Sequence, residues 1–183
     1  MNLPELSDQI TKDFQDIGKS ARSLIKVFIC GSYLGEDKKP LIELRDELRT
    51  EEEFKISGVF LMEDIETENE MKFHHKFELI WVEITKGDNY PLSIIYAGET
   101  SSSSMGLNAE IQAVVTDSNK KPHTHLIRHE NAGLVHHADE IINCHHVGNT
   151  DEFKKIAKDI VRAKLKEIES FLMYERGRKD GKR

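Results

Sequence analysis

Much that would announce a function is missing from these 183 residues. Two cysteines, Cys30 and Cys144, cannot build a disulfide framework; each lies in an apolar stretch, so both are expected as buried, reduced thiols. No apolar run reaches the length of a membrane-spanning helix, and the N-terminus lacks the apolar core of a secretory signal. The expectation is a soluble, cytoplasmic protein with no membrane partner. Positive charge is not in excess: 26 Lys and Arg stand against 33 Asp and Glu, a net charge of −7, which argues against a general nucleic-acid binder. Gly31-Ser32-Tyr33-Leu34-Gly35 lacks the Lys-Ser/Thr of a P-loop and is not GxGxxG, and neither a GxSxG elbow nor an HExxH pair occurs. The nine histidines (His74-His75, His123, His125, His129, His136-His137, His145-His146) are scattered, without the cysteine or acidic partners at fixed spacing that zinc sites use. No metal is expected, and His74 reads as packed beside the apolar stripe of its helix.

What is present is an alternation of short apolar strands with amphipathic helices. Ile10, Phe14 and Ile17 predict an N-terminal helix over 5–22. Strands are expected at 24–30, 56–62, 92–97, 124–128 and 140–146. Helices are expected after Pro40 (Leu41, Leu44, Leu48), over 68–85 (Phe73, Phe77, Ile80, Trp81, Ile84) and to about Asp117 through Leu107, Ile111, Val114 and Val115. Asn149 with Glu152 three positions on resembles a capping box opening a last helix over 150–174. Continuous apolar strands alternating with helices imply a parallel sheet covered on both faces. The expected architecture is α/β: one flavodoxin-like three-layer sandwich over 1–175, core 24–148, with a mainly parallel five-stranded sheet in the order 2-1-3-4-5. Residues 176–183 read as a basic flexible tail.

In such sheets ligands bind outside the carboxyl ends of the strands, where the strand order reverses. That rule selects Gly31, Ser32 and Tyr33 after the first strand, Glu63 and Asp64 after the second, and Gly98, Glu99 and Ser101–Ser104 after the third. Gly31 and Gly106 allow close backbone approach, the helix after the serines offers free amides to an anionic group, and Tyr33 could stack or hydrogen-bond. Within that helix Glu110 falls at the border of the apolar arc, where partial desolvation raises a carboxyl's pKa. A solvated glutamate at a helix flank is the plain alternative.

Val27-Phe28-Ile29-Cys30-Gly31-Ser32-Tyr33 resembles the opening strand and loop of the nucleoside 2-deoxyribosyltransferase-like superfamily. Ser104-Met105-Gly106-Leu107-Asn108-Ala109-Glu110-Ile111 is similar to that family's glycine-containing helix start with its nucleophilic glutamate. The related TIR-type NAD hydrolases also carry a glutamate on a helix beside a nucleotide cleft. Two departures stand out: Glu99 occupies the region where the family has an aspartate, and Gln112 follows Glu110-Ile111 where a small residue is usual. The resemblance implies cleavage or transfer at an N-glycosidic bond of a nucleoside, nucleotide or NAD. Glu110 would attack or stabilise the anomeric carbon, and Glu99 or Asp64 would hold sugar hydroxyls or protonate the base. Gly31, Ser32, Tyr33, Gly98, Ser104 and Gly106 would line the substrate. No cofactor is implied, NAD being a substrate if it is used. The alternatives are a non-catalytic nucleotide-sensing module and a scaffold whose long helices bind a protein partner; a homo-oligomer is left open.

Overall fold

The computed structural model describes residues 3–32, 35–64, 73–99, 105–133, 141 and 143–180, the side chains of 3–7, 73, 74, 179 and 180 excepted. The elements are α1 (Leu3–Leu24), β1 (Ile25–Gly31), α2 (Lys38–Thr50), β2 (Val59–Leu61), α3 (Phe73–Ile84), β3 (Tyr90–Ala97), α4 (Met105–Val115), β4 (Thr124–His129), β5 (Asn143–Val147) and α5 (Thr150–Asp180). The five strands form one sheet in the order β2-β1-β3-β4-β5, and every pairing is parallel. This is the flavodoxin-like sandwich expected from the alternation, with β3 in the centre.

The pleat sends successive side chains to opposite faces, and two cores result. Ile25, Val27, Ile29, Leu92, Ile94, Tyr96 and Ile127 meet α1, α2 and α5, contributed by Ala21, by Leu41, Leu44 and Leu48, and by Phe153, Ala157, Val161 and Ile168. Phe28, Cys30, Ile95, Ala97 and Leu126 meet Phe77, Ile80, Trp81 and Ile84 of α3 and Leu107, Ile111 and Val114 of α4. On the first face Tyr96 stacks on Phe153 at 4.0 Å between ring centroids.

The start of α5 follows the capping logic. Asn149 Oδ1 accepts the Glu152 N–H at 2.9 Å, while Glu152 reaches back to the N–H of Gly148, at 2.7 Å. Its end differs from expectation. The helix runs through Asp180, because Arg176 pairs with Asp13 of α1 and Arg178 with Glu175 one turn earlier; residues 176–180 are therefore helix and not tail. β2 is three residues long instead of seven, since 56–58 are irregular up to Gly58 and Met62 opens a 3-10 turn with Glu63 and Asp64. The part of the third helix expected over 68–72 lies outside the described residues. Cys30 is fully buried, but Cys144 is only half-buried because β5 is an edge strand.

Candidate functional site

The chain passes from β1 to β2 on one side and returns to β3 on the other, so the switch in strand order falls between β1 and β3. Gly31, paired with Tyr96, ends β1 there. Its φ of +154° suits glycine, and a Cβ would come within 2.4 Å of the Tyr96 carbonyl oxygen. Ser32 is buried beside it. At the end of β3, a Cβ on Gly98 would stand 2.1 Å from Oδ1 of Asp37, so the missing side chain makes room for that carboxylate. Asp37 is itself buried. Burial pushes the Tyr96 phenol up to about 12, with the charges of Asp37 and Glu99 acting in the same direction.

On the opposite face, α4 delivers Glu110. Its buried positions are Leu107, Glu110, Ile111 and Val114, spaced i, i+3, i+4, i+7, so the carboxyl lies inside the apolar stripe and not at its border. Glu110 is 1% exposed, and neither carboxyl oxygen has a hydrogen-bond partner. Burial drives its pKa well above the ordinary value; the Cys30 thiol is close enough to pull the other way, but without hydrogen-bond geometry. The Cys30 thiol is likewise pushed up, first by burial and then by the charge of Glu110. Ser93, the one serine in β3, projects to this face, and its Oγ is buried without a partner. Cys30, Ser93 and Glu110 thus form a polar island under the carboxyl end of β1, enclosed by the core of α3 and α4. In this setting burial favours the protonated form of Glu110 over the carboxylate.

The other expected acids are elsewhere. Asp64 does not face Glu110: its carboxylate takes Nη1 of Arg45 at 2.7 Å, Nη2 of Arg49 at 3.1 Å and the Leu61 N–H at 2.9 Å. Both arginines belong to α2, on the other face of the sheet, so Asp64 locks α2 to the end of β2. Glu63 is paired with Lys38 at 2.7 Å. Glu99 is exposed, with its charge acting on Tyr96. Asp64 is thus engaged by α2, and no hydrogen bond joins it to Glu110. Gly106 lies half-buried in the first turn of α4. Tyr33 and Ser101–Ser104 lie outside the described residues.

Asp37, Ser93 and the pairing of Cys30 with Glu110 were not anticipated. A hydroxyl interrupting Leu92-Ser93-Ile94-Ile95 was the available signal for one of them. Nothing local marks Asp37, whose partner in space, Gly98, is far along the chain.

Histidines do converge, at the other end of the sheet. His125 Nδ1 and His145 Nε2 are 3.2 Å apart, and their rings stack at 5.5 Å. A cavity of about 540 Å³ opens there, between the start of β3, β4, β5 and α5, with Leu92, His123, Ile160 and Lys164 among its walls. Burial, then His145 and Lys164, lower His125 to about 4. His129 accepts the Asn131 N–H and lies 3.0 Å from the Gly148 carbonyl, tying β4 to the end of β5. Among the described residues no three His, Cys, Asp or Glu side chains converge as a metal shell; His136, His137 and the His74 side chain fall outside them. No described helix is long and apolar enough to cross a membrane. No protein-family model matches the chain, and no curated protein matches it.

Proposed function

We propose that this chain cleaves, or transfers at, the N-glycosidic bond of a nucleoside, nucleotide or NAD-like molecule, with Glu110 as the reacting carboxyl. The observation that carries the reading is a fully buried acid with both oxygens unpartnered, held under the strand-order switch. A buried, unsatisfied carboxyl costs stability, and such a cost is retained where chemistry uses it. Breaking a glycosidic C1′–N bond sends the bonding electrons to the base and leaves positive charge on the sugar. Beside that cation, in a site of low dielectric, ionisation of Glu110 becomes favourable. Its proton passes to the base or solvent, and the carboxylate bonds to or neutralises C1′. Water or an acceptor base then completes hydrolysis or transfer. Gly31, Ser32 and Gly98 would present backbone to the ligand, Tyr33 and Ser104 would complete its pocket, and Glu99 is the remaining candidate for a sugar hydroxyl.

A second reading, a nucleotide-binding module without catalysis, is favoured by one fact. Asp64 is occupied by Arg45 and Arg49, and no acid is hydrogen-bonded to the Glu110 oxygens. Incubation with NAD and with deoxynucleosides, followed by chromatography for free base, separates the two. On the enzymatic reading, Glu110→Gln lowers base release at least about 100-fold, a barrier increase of roughly 2.7 kcal/mol, with folding intact. Unchanged release in Glu110→Gln removes Glu110 from the mechanism. Calorimetric binding without release by the wild type supports the module.

A further inference from the structure

The cavity of about 540 Å³ lies where β3 and β4 begin, at the end of the sheet opposite the strand-order switch. Pockets that take small molecules span roughly 300–1,000 Å³. One side of this cavity is apolar, built from Pro122 and from Ile156, Ile160 and Ala163 of α5. The other side is built from three imidazoles, His123, His125 and His145.

Charge narrows the ligand first. Lys164 donates to both carboxylate oxygens of Glu167 at 2.9 Å, and Asp159 is paired with Arg162, so the charged groups on this wall are matched along α5 itself. Burial lowers His123, His125 and His145 from their ordinary value near 6.5, so at neutral pH all three rings are mainly uncharged. No unpaired charge is left on the wall to select an ion. The imidazole pair narrows the ligand further. Between neutral rings, the 3.2 Å approach of His125 Nδ1 to His145 Nε2 makes one nitrogen a donor and the other an acceptor. The ring that donates has a bare outer nitrogen, an acceptor. The ring that accepts carries its proton on the outer nitrogen, a donor. Either tautomer thus gives the pair one free donor and one free acceptor, and among the described residues no other side-chain hydrogen bond engages either ring. The ring planes are 17° apart, so donor and acceptor address a ligand in nearly parallel planes.

We propose that this cavity binds an uncharged, flat heterocycle carrying both a hydrogen-bond donor and an acceptor, as a nucleobase or a pyridine carboxamide does, with its faces toward Ile156 and Ile160 and its polar edge on His125 and His145. Such a ligand matches the pair in either tautomer, whereas a purely apolar one leaves both nitrogens unpaired. The site is separate from that of Glu110 and does not depend on the reaction proposed there.

The test is titration with nicotinamide and with adenine at neutral pH, read by calorimetry and by the ring nitrogen resonances of isotope-labelled histidine. At least one probe should bind with a dissociation constant of about 1 mM or lower and shift the His125 and His145 signals. Nicotinate, the same ring with a charged carboxylate in place of the amide, should bind at least about tenfold more weakly than nicotinamide. His145→Leu should weaken binding at least about tenfold, and so should Ala163→Trp, which fills the mouth from an exposed position on α5, with circular dichroism unchanged in both. Glu110→Gln should leave binding unchanged, so this site and the proposed reaction stand or fall separately. The inference is overturned by the absence of a histidine shift with either probe, by binding indifferent to both cavity variants, by nicotinate binding as tightly as nicotinamide, or by loss of binding in Glu110→Gln.

Discussion

Under α1, α2 and α5 the sheet is covered by a closely packed apolar core, and the charges at its margin are paired. Lys154 binds Glu43 and Glu47, Lys158 binds Glu47 and Glu51, and Arg162 binds Glu53. Glu43 and Glu47 of α2, with Glu51 and Glu53 just past its end, meet bases four residues apart on α5, so the two segments are clasped together. Under α3 and α4 the core is smaller and encloses Glu110 and Ser93 with no partner for their side-chain oxygens. Among the described residues the first face buries no unpartnered side-chain polar atom; the second tolerates them at the strand-order switch. A fold that packs one face closely can carry a costly group on the other, and that division is what the proposed role of Glu110 rests on.

Truncation on the first face should have the largest effect. Phe153→Ala removes the ring stacked on Tyr96 and leaves a cavity; chemical denaturation should show a loss of about 3–5 kcal/mol. If the loss is below about 1 kcal/mol, that face is not the packed half of the molecule.

On the second face the sign should reverse. Glu110→Leu replaces an unpartnered buried carboxyl with an apolar group of similar size. Stability at neutral pH should rise by roughly 1–3 kcal/mol while any base release is lost. The pH dependence follows from the raised pKa. The folded chain holds the Glu110 proton to a higher pH than the unfolded chain does. Its contribution is therefore complete below the unfolded value and is lost as pH rises through the folded one. Glu110→Leu should remove that decline, and a wild type whose stability is flat on the alkaline side contradicts it.

Histidine gives a smaller effect of opposite slope. His125 titrates near 4 in the fold and near 6.5 when unfolded, so the unfolded chain binds the extra proton between those values. Stability should fall as pH drops from about 6.5 to 4, by roughly 1 kcal/mol once solvent screening of this partly exposed ring is allowed for. His125→Asn should flatten that limb of the denaturation profile. The smallest effect belongs to the clasp: Lys158→Met should cost about 0.5 kcal/mol and lose its salt dependence, since its partners Glu47 and Glu51 remain open to water. A cost above about 2 kcal/mol would make the clasp, and not the core, the stronger half of that face.

Local regularities carry information within a dozen residues, and these were legible. The apolar periods of Leu41–Leu48 and Phe77–Ile84, the capping pair Asn149 and Glu152, and the turn glycines Gly31 and Gly98 fall where the chain chemistry places them. The alternation of these elements was enough for the parallel sheet and its order. The helix predicted from Ile10, Phe14 and Ile17 is present, but its burial was not legible: Ile17 is buried while Ile10 and Phe14 are exposed, because a stripe states which residues are apolar without stating what covers them.

The sequence by itself determined the class of fold and the strand order, because pattern and turn chemistry act through neighbours in the chain. Only the tertiary structure decided that Glu110 is enclosed beside Cys30, that Asp64 is held by Arg45 and Arg49, that Asp37 fills the space left by Gly98, and that His125 meets His145. Each of those pairings joins residues distant in the chain. Their distances follow from sheet register and helix placement, quantities that arise only when all the layers pack at once.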